Sequence, residues 1–297
     1  GPAYIAASLE EAGFDVKIAD LTFTDKTRFD VDILKKIILK QKPDAVGLSA
    51  LTWTIPLTYK LVSALKEDDK DLPIVVGGPH VSALPQRTLE ECSAIDAVII
   101  GEGEYTFKDF LKILLTDRMC EEMTNIKGRM FRHNSRILGD PNPTYIENLD
   151  ALPFPARHLF NLEAYTKISD QFKAKRTPVA SIITSRGCPH RCVFCTRSNS
   201  GHRYRARSPE NVIRELEELK DYGFKEVQIP DDNFTQNRQR VAEICRQIKD
   251  RGLDMSFDLP NGVRVDYIDE ELLSTMYDAG FYSMHLGVES GDNKVLK

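Results

Sequence analysis

At 297 residues the chain is long enough for about two domains, and its 41% hydrophobic and 29% charged side chains are ordinary for a globular protein. A formal net charge of −5 argues against general nucleic-acid binding, and no apolar stretch is long enough to span a membrane. Cysteine occurs only 6 times and no secretory leader is visible, which argues against a disulfide framework.

In chain order, Tyr4–Ala12 carries apolar residues at helical spacing, with Gly13 placed to end the helix. Val16–Ala19 reads as a strand, Val31–Lys40 as a helix, Ala45–Ser49 as a short buried strand and Leu57–Lys66 as a helix. Ile74–Gly78 and Ala97–Gly101 read as further strands, the latter followed by a helix over Phe107–Leu115. Strands alternating with amphipathic helices predict a parallel sheet covered on both faces, whose ligands bind at the carboxyl ends of the strands. Those ends read Ser49-Ala50-Leu51-Thr52, Gly77-Gly78-Pro79-His80 and Gly101-Glu102-Gly103-Glu104. Their glycines admit a bulky ligand to the backbone, or simply make tight turns; spacing alone does not decide between these. No G-x-G-x-x-G follows any strand, so a dinucleotide role is not supported.

Residues 117–178 lack long periodic segments. Gly128–Ile137 suits a small hairpin turning at His133-Asn134-Ser135, and proline-punctuated stretches at 140–143 and 152–155 suit a strap. The alternation then resumes. Val179–Thr184 is a strand. Pro209–Tyr222 is a helix with Ser208 as its N-cap and Gly223 at its end. Glu226–Ile229, Met255–Phe257 and Ser283–Val288 are strands, separated by helices over Gln239–Asp250 and Glu270–Ala279. This order predicts a parallel β/α barrel with four of its strands present and with polar groups at the strand ends. Those groups are Asp231-Asp232-Asn233, Asn261–Arg264 and Glu289-Ser290-Gly291. Residue 1 opens almost directly on a helix and residue 297 follows a strand, so both ends read as cut.

The first of these strands leads into Cys188, Cys192 and Cys195, a C-x3-C-x2-C motif. Three readings are open: a [4Fe–4S] cluster with one iron lacking a protein ligand, a zinc site completed by His190 or a distant residue, or thiols without metal. Three of six cysteines within eight positions argue against scatter, and no second C-x2-C pair supports zinc. Cys92, Cys120 and Cys245 stand alone. Lys173, Lys175, Arg176, Arg186, Arg191, Arg197, Arg203, Arg205 and Arg207 surround the motif, either as a solvated loop or as a positive field for an anionic centre.

The cysteine motif with Phe194, following a buried strand, resembles the radical S-adenosylmethionine (SAM) superfamily. With the domain before it, the chain resembles the cobalamin-binding branch, which includes anaerobic magnesium-protoporphyrin monomethyl ester cyclases and methyltransferases. The resemblance implies an α/β fold: a Rossmann-like, flavodoxin-like cobalamin-binding domain (residues 1–120, first strand missing), a linker (121–175), and a truncated radical SAM partial TIM barrel (176–297). It implies that Cys188, Cys192 and Cys195 bind three irons of a [4Fe–4S] cluster while SAM chelates the fourth. Asp231 or Asp232 would hold the SAM amine, Arg264 its carboxylate, Glu289 and Ser290 the ribose hydroxyls, and Phe194 would pack near the adenine. Ser49, Leu51, Thr52, Gly77, Gly78, His80, Gly101, Glu102 and Gly103 would surround cobalamin. The chain departs from one class of cobalamin proteins in lacking Asp-x-His-x-x-Gly, and a lone loop histidine such as His80 reads as a hydrogen-bonding residue. The implied activity is reductive SAM cleavage with methyl transfer to an unactivated carbon. The alternatives are a cobalamin-linked cyclase or oxidoreductase, or a non-catalytic metal-stabilised module. A small-molecule substrate, a flavodoxin or ferredoxin as electron donor, and a cytoplasmic location without membrane or nucleic-acid partners complete the expectation.

Overall fold

Helix α1 (Pro2–Glu10) starts on a proline, whose fixed φ suits a first turn. It closes at Gly13, where φ is +86°. The Gly13 N–H donates to the Glu10 carbonyl and the Phe14 N–H to that of Leu9, the paired bonds of a glycine-terminated helix. These coordinates come from a computed structural model that describes residues 1–20, 30–114, 126–166, 174–196 and 200–295. The chain divides into two compact units, one formed mainly by Gly1–Ile146 and the other mainly by Asn161–Cys195 and Gly201–Lys297.

The first unit is built on a five-stranded sheet of order β1-β2-β3-β4-β5. Strands β1 (Val46–Ser49), β2 (Ile74–Gly77) and β3 (Ala97–Ile99) are parallel, so their carboxyl ends share one edge. One face packs Val76, Val98 and Ile74 with Leu61, Val62 and Leu65 of α3 (Ile55–Asp68). The other packs Val75, Ala97 and Ile99 with Phe107 and Phe110 of α6 (Gly103–Leu114) and Leu9 of α1. Helix α2 (Val31–Leu39) is capped by Asp30, whose carboxylate accepts from the Asp32 and Ile33 N–H groups. Two short helices, α4 (Pro79–Ala83) and α5 (Pro85–Glu91), follow β2 and went unread in the sequence. Each begins on a proline that also signals a turn.

Two expectations for this unit need correction. Val16–Ala19 has no strand partner among the described residues; its alternating burial is real, with Val16 and Ile18 packed toward Ala6 and Ala7, but alternation reports one-sided burial and not a hydrogen-bonded ladder. The expected hairpin exists as β4 (Arg129–His133) and β5 (Arg136–Asp140), turning through Asn134 and Ser135 at φ +45° and +63°. It is no free-standing part of a linker, because β4 pairs antiparallel with β3 (Ala97 opposite Phe131) and extends the first sheet.

The second unit holds a parallel four-stranded sheet of order β11-β10-β9-β6. Its strands are β6 (Val179–Ser181), β9 (Glu226–Gln228), β10 (Ser256–Val263) and β11 (Phe281–Leu286). A short helix α7 (Leu162–Thr166) precedes them. Helices α8 (Pro209–Asp221), α9 (Arg238–Asp250) and α10 (Glu270–Asp278) connect the later strands, capped by Ser208, Asn237 and Asp269. Their apolar stripes meet the sheet in one core that includes Val212, Ile213, Val227, Val241, Ile244, Phe257 and Phe281. Strand β10 runs further than the expected Met255–Phe257: register shifts against β11 carry it past Gly262 (φ +87°) to Val263, so Asn261 lies within the strand. A two-residue antiparallel ladder, β7 (Ser185–Arg186) with β8 (Arg205–Ala206), closes the base of the cysteine loop.

Candidate active site

In the first unit the strand-end loops are tied to one another. The Ala50 N–H donates to the Gly77 carbonyl at 2.9 Å, the His80 N–H to the Ala50 carbonyl at 3.2 Å, and the Gly101 N–H to Ser82 Oγ at 2.9 Å. Gly78 has φ +98°, and a Cβ there would lie 2.8 Å from the Ala50 carbonyl oxygen and 2.9 Å from Ser49 Oγ. His80 is buried with Nδ1 3.2 Å from Thr52 Oγ1, which accounts for it as a loop-tying residue. Leu51, Trp53 and Leu84 are exposed on this edge. Trp53, the chain's single tryptophan, was not among the residues expected at this site; exposed bulk apolar groups beside a glycine turn are the signal that pointed to it.

Ser49, Leu51, Thr52, Gly77, Gly78 and His80 thus share this edge. Gly101, Glu102 and Gly103 follow β3 at the same edge and also make contacts of their own. Gly101 bridges Thr144, Glu102 is buried with Oε2 accepting from the Ile146 N–H at 2.6 Å, and Gly103 packs closely against Ile5 and Ile99. Gly101 and Glu102 hold the 144–146 segment to the end of β3.

In the second unit the cysteine loop leaves β7 and returns at β8. The Cys188 N–H donates to the Gly201 carbonyl at 3.3 Å and the Cys195 N–H to the Cys192 carbonyl at 3.1 Å. Cys188 and Cys192 are half-buried and Cys195 is exposed, all as free thiols. Among the described residues no three His, Cys, Asp or Glu side chains are already gathered as a ligand set. Between the thiols, Val193 and Phe194 turn outward, with Phe194 68% exposed. His190 meets the Tyr267 ring edge-on at 5.4 Å, which brings the loop beside the segment that follows β10.

The two carboxylates after β9 part company. Asp231 is buried; its Oδ1 accepts from the Thr184 N–H (2.7 Å) and its Oδ2 from the Thr184 and Ser185 hydroxyls (2.6 Å each). Burial pushes this carboxyl up, against the opposing pull of those hydroxyls and of Arg240. Asp232 is exposed and accepts from the Gly187 N–H at 2.9 Å. Arg264 forks onto Asp266 (2.9 and 2.6 Å), whose carboxylate holds the guanidinium pKa up. It is therefore already engaged where a SAM carboxylate was expected. Glu289 is exposed in a left-handed backbone (φ +58°), uncommon for any residue but glycine. Ser290 Oγ accepts from the Asp292 N–H.

Part of the expected positive field is already paired or buried. Arg207 is buried in an ion pair with Glu215, Arg176 pairs with Asp254 and Arg203 with Glu147, and Arg205 is buried. Lys173 and Arg197, like Cys120 elsewhere, lie outside the described residues.

Comparison with known proteins identifies the two domains that carry these residues. The B12-binding domain family matches residues 1–111 and the radical SAM superfamily residues 182–297. The chain joins a B12-binding domain to a radical SAM superfamily domain. Across its whole length this radical SAM chain is 37% identical to an uncharacterized methyltransferase of Pyrococcus horikoshii and 31% identical to the cytidylyl-2-hydroxyethylphosphonate methyltransferase of Streptomyces wedmorensis, covering 62% of each. Over 97% of its length it is 28% identical to the anaerobic magnesium-protoporphyrin IX monomethyl ester cyclase of Rubrivivax gelatinosus, covering 51% of that protein. The chain thus spans about three-fifths or less of these curated relatives. The fold is shared with the methyltransferase TsrM of Kitasatospora setae (TM-score 0.78, 21% identity, 99% of this chain and 57% of that one). It is shared too with the cobalamin-dependent enzyme OxsB (TM-score 0.76, 22% identity, 98% and 42%).

A radical SAM domain implies a [4Fe–4S] cluster and SAM, and a B12-binding domain implies cobalamin. The residues present fit them. Three soft thiols on one loop suit iron, and three ligands leave the fourth iron position for a substrate group. A glycine turn without room for a Cβ, flanked by exposed Leu51 and Trp53, suits a broad, partly apolar ligand such as cobalamin. Among the described residues, no helix is long and apolar enough to cross a membrane.

Proposed function

We propose that this chain is the cofactor-bearing part of a radical SAM enzyme that transfers a methyl group to an unactivated carbon of a small molecule. The observation that carries the reading is the C-x3-C-x2-C loop rooted at the carboxyl end of a parallel strand, in a chain that also has a B12-binding domain. When bound, the cluster supplies the electron that cleaves SAM to methionine and a 5′-deoxyadenosyl radical, and cobalamin supplies the methyl group. The protein's part is to hold, orient and exclude water. Cys188, Cys192 and Cys195 hold the cluster. Asp232, the exposed carboxylate of its pair, takes the SAM amine; Phe194 covers the adenine; Glu289 and Ser290 meet the ribose hydroxyls. Arg264 stays with Asp266 and orients the β10 end. Ser49, Leu51, Thr52, Gly77 and Gly78, with His80 bracing Thr52, form the cobalamin edge.

A flavodoxin or ferredoxin in the cytoplasm is the proposed electron donor, since cluster reduction needs a low-potential partner. The test is anaerobic reconstitution of the full-length protein with iron and sulfide, then dithionite and SAM. Formation of 5′-deoxyadenosine supports the reading; its absence across a substrate screen sinks it. A second reading, a cobalamin-linked cyclase, is favoured by the similarity to the protoporphyrin ester cyclase and is separated from the first by whether the product carries a new methyl group.

A further inference from the structure

Asp231 and Asp232 are neighbours in sequence with opposite surroundings. Asp231 is 2% exposed and all of its acceptor contacts run to the two residues at the root of the cysteine loop. Thr184 is gripped from both sides. Its N–H and hydroxyl go to Asp231, while its carbonyl accepts from Arg240 Nη2 at 2.8 Å and from the Arg207 N–H at 2.9 Å. Arg240 Nε also donates to the Arg207 carbonyl at 2.7 Å, so one guanidinium ties together the residues that flank the two strands of the ladder at the base of the loop. That ladder has only two residue pairs, Ser185–Ala206 and Arg186–Arg205. So short a ribbon does not hold itself in water. Charge-assisted bonds from a buried carboxylate and a buried guanidinium are the stronger kind. Cys188 lies three residues beyond Ser185, so the direction in which this thiol leaves the sheet depends on that grip.

We infer that Asp231, together with Arg240, is a positioning residue that aims the cysteine loop and so governs cluster assembly, leaving Asp232 as the member of the pair that meets a ligand. The inference rests on the proposed reading that this loop holds a cluster. It acts through Thr184 and Ser185, and Asp231 itself touches neither metal nor SAM.

The experiment compares Asp231→Asn, Arg240→Gln, Asp232→Asn and Glu226→Gln in the full-length protein. Glu226 is the control: it is buried in the same sheet but bonds Tyr282 and the Arg176 N–H at the other end of its strand. The readouts are iron and sulfide per chain after anaerobic reconstitution, and the electron paramagnetic resonance spectrum of the reduced cluster with and without SAM. Asp231→Asn and Arg240→Gln are expected to lower cluster content about tenfold, the usual range for groups that orient metal ligands. Asp232→Asn is expected to keep the cluster and lose the spectral change on adding SAM. Glu226→Gln is expected to lower the melting temperature and leave both spectra as in wild type. Wild-type cluster content and spectrum in Asp231→Asn would overturn the inference, as would an equal loss in Glu226→Gln. Should Asp231→Asn fail to fold by circular dichroism, Thr184→Val and Ser185→Ala each remove one hydroxyl donor and keep the carboxylate; wild-type cluster content in both overturns it equally. A wild-type protein that takes up no cluster sinks the proposed function along with the inference, whereas an intact cluster in Asp231→Asn sinks the inference alone.

Discussion

A methyl group at position 78 meets the Ala50 backbone at 2.8 Å in a left-handed conformation, so Gly78→Ala strains the turn on two counts. The expected cost is about 1–3 kcal/mol, measurable by chemical denaturation, with loss of cobalamin retention on gel filtration. Glu215→Ala is a different kind of damage. It strands the buried Arg207 guanidinium without its ion pair, and the expected loss is about 3–5 kcal/mol in the same assay. Glu215→Gln, which keeps an acceptor, should lose less. Much of this was hidden from the sequence. The motif spacing displayed the three thiols, and the strand ends displayed the carboxylates. Which aspartate of the pair points inward, or that Glu102 accepts from the Ile146 N–H, depends on partners 47 and 44 residues away. No local pattern encodes those pairings.

At the scale of elements, most of the helices were legible because their caps are local. Ser208, Asn237 and Asp269 each accept from a backbone N–H three residues on. Removing the cap in Ser208→Ala should cost about 1 kcal/mol, read as a shift in denaturation midpoint. Strand membership was less legible. Val16–Ala19 alternates as a strand does and pairs with no strand among the described residues, while the β7–β8 ladder is too short to leave a period in the sequence. The same sheet has a pH signature. Burial, then the hydrogen bond to Glu226, pushes the Tyr282 phenol up to about 12, against an ordinary value near 10 when unfolded. A raised folded pKa contributes stability fully below pH about 10 and loses it as pH climbs toward about 12. Tyr282→Phe should therefore flatten part of the alkaline fall in stability, followed with phenolate absorbance; Tyr59, raised to about 12 chiefly by burial and by Glu91, keeps a share of it.

For the whole molecule, the two sets of candidate residues belong to separate compact units with separate cores. Perturbations that share no partner combine independently. Cys192→Ala is thus expected to abolish iron binding and retain cobalamin, and Gly78→Ala to do the reverse, with the double variant showing the sum. Metal analysis and the visible spectrum of the same samples decide this. One further consequence follows from how the cysteine loop is rooted. Every bond in the grip on Thr184 and Ser185 runs between carboxylate, guanidinium, hydroxyl and peptide groups, and none involves sulfur. Oxygen attacks iron and thiolate and leaves such bonds alone. The anchor is therefore expected to outlast exposure to air: circular dichroism should stay unchanged while iron is lost, and iron and sulfide should rebuild the centre as long as the three thiols can be reduced back from disulfide or sulfenate.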